Sequence, residues 1–105
     1  MVLVTFRVTV REDVDQEAFH HTAGRMMELV SAMPGFKGIE WYGAVDDPRT
    51  QLALAVFDSH ETIAEWKNNP EHLVAQKRGR EEFFAGYRLQ IADISREYSY
   101  PKGKK

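Results

Sequence analysis

Three polar side chains between residues 70 and 86 combine the chemistry of a base with that of anion-stabilising donors. If this stretch forms one helix, the 3.6-residue period places His72, Gln76 and Arg80 on a single face. The same face carries the apolar side chains of Leu73, Phe83 and Phe84. Because a buried polar group costs about 1–3 kcal/mol when it is unpaired, such a mixed face either satisfies its polar groups internally or presents them to a ligand.

Each of these side chains also has a purely structural interpretation. His72 could cap a backbone group, Arg80 could pair with an acid, and Trp66, just before the helix, could be a core residue. In the chemical interpretation, an imidazole with an ordinary pKa of about 6.5 is a base at neutral pH. Amide and guanidinium groups then stabilise the anion that the base creates. Gly79 in the middle of the helix would admit a ligand or a closely packed neighbour.

The sequence predicts no metal held by the protein and no cysteine chemistry. His20 and His21 are adjacent on a helix, so their side chains point about 100° apart and cannot bind one ion together. No HExxH, EF-hand, phosphate-binding loop, GxGxxG or GxSxG pattern occurs. The absence of cysteine excludes disulfides and thiolate catalysis.

Length and composition are those of one globular domain. The chain has 105 residues, of which 43% are hydrophobic and 29% charged, and its formal charge is −2. We expect a domain over residues 1–100 and a disordered basic tail over residues 101–105. This charge excludes a module held to nucleic acid by phosphate contacts, and no segment has the roughly 20 apolar residues that cross a membrane. Because no signal-peptide pattern is visible, the expected location is the cytoplasm.

Helical periodicity and capping residues predict three helices. The first begins with a capping box of Asp13 and Gln16 and ends before Pro34-Gly35. Either Asp58 or Ser59 caps a short second helix, which breaks near Asn68-Asn69-Pro70 because proline disfavours helical geometry in the residue before it. Asn69 as N-cap and Pro70 at the first helical position then begin a third helix that runs to about Gly86.

Four strands complete the predicted fold. Alternating or β-branched apolar residues predict strands at 2–10, 38–45, 51–57 and 87–98. The connection 46–50 contains aspartate and proline and predicts a tight hairpin turn. The order is therefore β-α-β-β-α-α-β, which is typical of a ferredoxin-like α+β fold with an antiparallel sheet.

Both faces of the predicted sheet are apolar, which indicates a partner. Residues 52–57 are consecutively apolar, so both faces of that strand need to be covered. A chain of this length has enough helix for one face only. A second copy of the same sheet in a symmetric homodimer is the simplest cover, and a monomer with a modestly apolar exposed sheet is the alternative.

The residues from Trp66 to Arg88 resemble the antibiotic biosynthesis monooxygenase (ABM) domain family. The pattern is Trp66-x-x-x-Pro70-Glu71-His72-x-x-Ala75-Gln76-x-x-Gly79-Arg80-x-x-Phe83-Phe84-x-x-Tyr87-Arg88, followed by a strand that ends Arg96-Glu97-Tyr98. The predicted element order over residues 2–98 also fits this family. The resemblance implies a ferredoxin-like protomer paired into a dimeric α+β barrel, with a pocket between the helices and the sheet of each protomer.

The resemblance implies a cofactor-independent monooxygenase that oxidises an aromatic, phenolic or quinol-type small molecule with O2. His72, Gln76 and Arg80 are then the expected catalytic residues. The expected substrate-binding residues are all aromatic, namely Phe6, Trp66, Phe83 and Phe84. No metal, nucleic acid or membrane is expected to take part.

Two alternatives stay open. Haem-degrading members of the family use an asparagine on the first strand, a tryptophan on the second helix and a haem-ligating histidine some turns further on. Trp66 matches, but the first strand has Phe6 and Arg7, and the histidine's place lies near Gln76. Haem is therefore the alternative cofactor. A non-catalytic dimeric barrel that binds a small ligand is the other alternative.

Overall fold

The computed structural model describes residues 1–101 and contains four strands and three helices. The strands are β1 (Val2–Val10), β2 (Phe36–Ala44), β3 (Asp47–Phe57) and β4 (Phe84–Asp93). The helices are α1 (Gln16–Ser31), α2 (His60–Lys67) and α3 (Pro70–Arg78), and a π-helical turn (Gly79–Phe83) joins α3 to β4. Residues 102–105 of the predicted tail lie outside the described part of the chain.

The strands form one antiparallel sheet in the order β2-β3-β1-β4. This is the sheet order of the ferredoxin-like α+β fold, so the predicted fold class is confirmed. One face of the sheet packs against the helices, where Val30 from α1 joins Ala55 and Phe57 from β3 in the core. Val8 of β1 is 1% exposed on this face. Among residues 1–101, no helix is long and apolar enough to cross a membrane.

The predicted start of α1 is wrong by two residues. Asp15, not Asp13, is the N-cap, and its Oδ1 accepts a hydrogen bond from the backbone N–H of Ala18 at 3.1 Å. Asp13 lies instead in a turn that the N–H of Val14 closes on the carbonyl of Arg11 at 3.2 Å. The sequence could not distinguish the two aspartates, because both precede the periodic segment and aspartate is a favoured N-cap residue at either position.

The end of α1 falls before Pro34, as predicted, and Gly35 makes the turn into β2. Gly35 has a φ of +93°, a region that L side chains rarely adopt. A Cβ at this position would lie 2.6 Å from Oδ1 of Asp58 and 2.7 Å from Oγ1 of Thr62. Glycine is therefore required here both for its backbone conformation and for the close approach of the next helix.

The hairpin between β2 and β3 is tighter than predicted. Ala44 pairs with Asp47, so the connection is Val45-Asp46 rather than residues 46–50. The carboxylate of Asp47 accepts hydrogen bonds from the backbone N–H of Arg49 at 3.0 Å and from the Thr50 hydroxyl at 2.7 Å. These bonds hold residues predicted as a loop in the ladder at the start of β3.

The boundary between α3 and β4 also differs from the prediction. The helix predicted to reach Gly86 ends at Arg78, and β4 begins at Phe84 and ends at Asp93 instead of covering 87–98. β4 pairs with β1 along its whole length, from Val10↔Phe84 to Val2↔Asp93. The strand ends at Asp93, opposite Val2 at the start of β1, and the backbone N–H of the next residue, Ile94, donates to the carbonyl of Met1 at 3.1 Å.

Candidate functional site

The break between α2 and α3 fixes the position of His72. Asn69 is the N-cap of α3, and its side-chain oxygen accepts a hydrogen bond from the backbone N–H of His72 at 3.1 Å. Pro70 occupies the first turn, as the sequence predicted, since it lacks the N–H that the helix start leaves unpaired. The break turns the chain so that the His72 side chain folds back on the last turn of α2.

The His72 ring is held by Trp66 in two ways. Its Nδ1 lies 2.8 Å from the backbone carbonyl of Trp66, and its ring stacks on the indole with centroids 3.9 Å apart and planes 13° from parallel. A carbonyl only accepts hydrogen bonds, so the proton of the neutral ring is on Nδ1 and the lone pair is on Nε2. None of the described residues hydrogen-bonds Nε2, and no buried side-chain nitrogen or oxygen among them is unpaired. Nε2 is therefore in contact with solvent.

Burial keeps this imidazole neutral. Desolvation lowers the pKa of His72 below its ordinary value of 6.5, and the hydrogen bond to the Trp66 carbonyl opposes this shift only in part. At pH 7 the ring is therefore an unprotonated base with a free lone pair.

Gln76 lies one helical turn after His72 and ties α3 to the end of α2. Its Nε2 donates to the backbone carbonyl of Lys67 at 2.9 Å and lies 3.3 Å from Nδ1 of His72. Since Nδ1–H is itself a donor in this tautomer, the second contact is not a hydrogen bond. Arg80 is exposed in the π-helical turn, and none of the described residues accepts a hydrogen bond from its guanidinium.

A cluster of aromatic rings occupies the other end of α3. Phe84 packs edge-on against Phe6 of β1 at 5.8 Å and against Phe19 of α1 at 6.2 Å. Phe83 is 2% exposed, lies 5.5 Å from Phe19 and has the guanidinium carbon of Arg78 4.9 Å above its ring. Phe83 therefore supports the cluster from within the core. Phe6 and Phe84 are only partly buried, so part of each side chain is accessible to solvent.

An open apolar shelf continues from this cluster along β4. The register pairs Tyr87, Leu89 and Ile91 with Val8, Phe6 and Val4, so their side chains share the face of the sheet that the helices cover. Nevertheless, Tyr87 is 47% exposed, Leu89 49% and Ile91 46%. We call these three residues, together with Phe6 and Phe84, the β4 shelf. The shelf is uncovered because α3 packs chiefly against α1 and α2.

The β4 shelf and the His72 region both adjoin the same part of the hydrophobic core. Trp66 and Val4 pack against the same core cluster, and Val4 is the register partner of Ile91. At the other end of α3, the Phe84 ring fits against Gly79 so closely that a Cβ there would lie 2.5 Å from the ring. The elements on either side of α3, the end of α2 and the π-helical turn, thus lie near the two ends of the shelf. The side of α3 toward α1 carries different residues, namely Glu71, Val74, Ala75 and Arg78.

Two surface cavities lie away from these residues. One, of about 390 Å³, lies between α1 and α3 next to Arg25 and Glu71. The other, of about 170 Å³, lies near Arg11 and Pro48. None of the residues predicted from the sequence for the site lines either cavity.

The structure thus brings the predicted residues together in two groups. At the helix break, His72 contacts both Trp66 and Gln76, and Phe6, Phe83 and Phe84 belong to the aromatic cluster. Sequence reasoning did not select Tyr87, Leu89 and Ile91, although all three lie in the strand predicted over residues 87–98. It also could not identify the Trp66 carbonyl, since a backbone group leaves no mark in the sequence.

Comparisons with known proteins agree with the fold. SnoaB, a cofactor-independent oxygenase from Streptomyces nogalater, superposes with a TM-score of 0.75 over 96% of this chain and 97% of its own, at 17% identity. Rv0793 from Mycobacterium tuberculosis superposes with a TM-score of 0.79 over 93% of this chain and 98% of its own, at 18% identity. The uncharacterized protein YqjZ of Bacillus subtilis is 29% identical over 79 residues, which are 75% of this chain and 68% of YqjZ.

The family assignment rests on the sequence itself. The sequence model of the antibiotic biosynthesis monooxygenase family matches residues 1–78, from the start of the chain to the end of α3. This span includes all of β1, the helix break and His72. The resemblance inferred from the sequence is confirmed, and the chain belongs to the antibiotic biosynthesis monooxygenase (ABM) family.

Proposed function

We propose that this protein is a cofactor-independent monooxygenase that oxidises a phenolic or quinol-type aromatic molecule with O2. The observation that carries the proposal is the state of His72. Its Nδ1–H is engaged by the Trp66 carbonyl and its Nε2 is free, so the ring is a base with its lone pair available at a fixed place. A positioned base of this kind contributes about 10²–10⁴-fold to a reaction that begins by proton removal.

The β4 shelf supports the aromatic part of the proposal. Phe6, Phe84 and Tyr87 offer ring edges and faces, and Leu89 and Ile91 extend the apolar surface along the strand. Aromatic pairs are worth about 0.5–1.5 kcal/mol beyond the area they bury, so a flat aromatic substrate gains from this surface. We infer that the substrate lies on the shelf with an acidic hydroxyl toward Nε2 of His72, beside the stacked Trp66.

Arg80 and Gln76 are the proposed stabilisers of the substrate anion. The Arg80 guanidinium carries a positive charge and has no hydrogen-bond acceptor among residues 1–101. One N–H of the Gln76 amide is used by the Lys67 carbonyl, which leaves its second N–H for the substrate. Donors that are held in place before the reaction stabilise the developing charge most effectively.

The reaction balances without a further reductant. His72 takes the hydroxyl proton, and the electron-rich anion transfers one electron to O2. The two radicals combine to form a carbon–oxygen bond at a ring carbon that carries one hydrogen, and the proton held by His72 returns to the peroxide oxygen to give a hydroperoxide. Loss of water then breaks the O–O bond and leaves a carbonyl. One oxygen atom enters the product and the other leaves as water, whose hydrogens are the former hydroxyl proton and the hydrogen of the reacting ring carbon. The substrate ring system supplies all four electrons and ends as the quinone-type product.

The sheet face opposite the helices supports a homodimer as the working form. We call this the outer face. Its central strands carry four partly exposed aliphatic side chains, Leu3, Leu52, Leu54 and Val56. Apolar patches on a sheet are covered in stable proteins, and a two-fold pairing of identical sheets covers both at once.

Haem is the alternative cofactor, because a histidine Nε2 with a free lone pair can also ligate iron. His72 would then be the ligand and the β4 shelf the apolar surface beside the macrocycle. Among residues 1–101, no group of three histidine, cysteine or acidic side chains could hold a bare metal ion. Haemin titration distinguishes the two functions: we expect no Soret shift that depends on His72, and such a shift would favour the haem function.

Oxygen uptake with 1,8-dihydroxyanthrone as probe tests the proposed activity. We expect uptake by the wild-type protein, formation of the corresponding anthraquinone, and a loss of about 10²–10⁴-fold in His72→Ala. His21→Ala is the matched control, because His21 is an exposed histidine on α1 and has no place in the proposed mechanism. Equal uptake by His72→Ala and wild type would remove His72 from the mechanism, and no turnover of any phenol or quinol by the wild type would favour a non-catalytic binding protein.

A further inference from the structure

The smaller of the two surface cavities is rich in hydrogen-bond donors. It has a volume of about 170 Å³ and lies where β1 ends, β3 begins and α1 makes its first two turns. Pockets for drug-sized ligands measure about 300–1,000 Å³, so this cavity suits a small ion rather than a polycyclic molecule. One acid, Glu12, lies in its wall. The wall also carries five side chains that can donate hydrogen bonds, namely Arg11, Gln16, His20, Arg49 and Gln51.

Main-chain carbonyls hold the two arginines of this cavity in place. Nε of Arg11 donates to the carbonyl of Phe84 and its Nη2 donates to the carbonyl of Arg80, both at 3.2 Å. Nη1 of Arg49 donates to the carbonyl of Val10, also at 3.2 Å. Because a guanidinium has five N–H groups, three remain on Arg11 and four on Arg49. Both groups are therefore fixed before a ligand binds, and they keep most of their donors for it.

No carboxylate neutralises these two cations. Neither Arg11 nor Arg49 belongs to an ion pair within residues 1–101. Asp47 lies in the field of Arg49, but its carboxylate is already bonded to a hydroxyl and to a backbone N–H. Glu82 lies in the field of Arg11, but two hydrogen bonds pair it with Arg78. Two positive charges thus line one small cavity, and an anion between them relieves their mutual repulsion.

We propose that this cavity binds a small oxyanion, a phosphate or a carboxylate group, through Arg11 and Arg49. A guanidinium matches the geometry of both anions and can bind either with two parallel N–H···O bonds. The side-chain amides of Gln16 and Gln51 add N–H donors without adding charge, and the His20 imidazole has an N–H in either protonation state. Because the donors are held by three parts of the fold, little ordering is needed when the anion binds.

The proposed anion site is separate from the His72 region. None of the residues proposed to take part in the oxidation lines this cavity. Arg11 nevertheless connects the two, because it bonds to the carbonyls of Arg80 and Phe84 at the two sides of the π-helical turn. The inference does not depend on the proposed function, since anion binding can be measured without turnover.

Isothermal titration calorimetry with inorganic phosphate and with malonate, at constant ionic strength, tests the site. We expect binding at one site per chain. Arg49→Gln should weaken it by about tenfold or more, because it removes one of the two cations and its charge-assisted hydrogen bonds. Glu12→Gln should instead strengthen it several-fold, because it removes the acid in the wall. Arg96→Gln is the matched control: it removes the same charge beyond the end of β4, at the opposite end of the sheet from Val10.

The two substitutions in the cavity are expected to change the affinity in opposite directions, and a folding defect cannot produce that pattern. The probe that binds more tightly identifies the ligand as a phosphate or a carboxylate compound. Saturable binding of neither probe, or equal affinities in Arg49→Gln, Glu12→Gln and wild type, would overturn the site. A wild-type protein that binds an oxyanion in the expected pattern but oxidises no phenol or quinol supports this inference and counts against the proposed function alone.

Discussion

Gly79→Ala provides the sharpest test of how the aromatic cluster is packed. Gly79 has ordinary helical dihedral angles, φ −57° and ψ −49°, so its backbone does not require glycine. On propensity alone, alanine in a helix would stabilise the protein by up to about 1 kcal/mol. The added Cβ, however, would lie 2.5 Å from Cε2 and 2.9 Å from Cδ2 of Phe84. We therefore expect the packing cost to decide the sign.

The magnitude follows from what surrounds the Phe84 ring. The ring is flanked by Phe6, Phe19, Phe83 and Tyr87, with centroids 5.8 to 6.4 Å away, so a shift of the ring away from Gly79 disturbs its packing against these four neighbours. Overpacking of this kind costs about 1–3 kcal/mol, which exceeds the propensity gain. We expect Gly79→Ala to lower the free energy of unfolding by about 1–2 kcal/mol, and Tm by roughly 4–8 °C for each kcal/mol.

Thermal and urea denaturation measure the effect, and Gly24→Ala is the matched control. Gly24 lies within α1, and a Cβ there would meet nothing within 4 Å, so the same substitution raises stability there. Combining Gly79→Ala with Phe84→Leu makes room for the methyl group and recovers part of the loss. If Gly79→Ala stabilised the protein as Gly24→Ala does, the described packing of Phe84 against the π-helical turn would be refuted.

Three further predictions concern His72, the β4 shelf and the surface. Because burial lowers the pKa of His72 in the folded state, the unfolded chain binds more protons, so stability falls as pH drops below about 6.5; urea titrations should show this slope in wild type and not in His72→Gln. Leu89→Glu should raise KM for an apolar substrate by about tenfold and leave Tm nearly unchanged, since Leu89 is already 49% exposed. Glu71→Gln breaks the paired contact of Glu71 with Arg25 at 2.9 and 3.0 Å, but both side chains are about half exposed, so Tm should fall only slightly, and less at high salt.

The architecture could be predicted from the sequence because each element carries its own local signal. The alternation in residues 2–10 gave β1 with its observed bounds, and Asn69-Pro70 gave the start of α3. Errors arose where a local signal competes with a contact that is distant in sequence. Residues 79–86 continue a helical pattern, but pairing with β1 draws Phe84 into a strand, and a contact so distant in sequence has no local trace.

The candidate site was less accessible from the sequence. Residue type and helical spacing selected His72 and Gln76, but they could not show that Nδ1 bonds to a carbonyl six residues earlier or that Nε2 is free. Phe83 and Phe84 were equivalent as adjacent aromatics, yet the π-helical turn buries the first and leaves the second at the surface. The β4 shelf was not predicted because exposure depends on where α3 packs, which a strand pattern does not encode.

Anchoring His72 to main-chain atoms separates the reactive group from the surface that recognises the substrate. The ring is oriented by the Trp66 carbonyl, and its backbone by the Asn69 cap, whereas Leu89 and Ile91 come from a different element. Side chains on β4 can therefore be exchanged without disturbing the imidazole. A scaffold built in this way can acquire new specificities through substitutions on one strand, and libraries restricted to that strand are the natural starting point for engineering it.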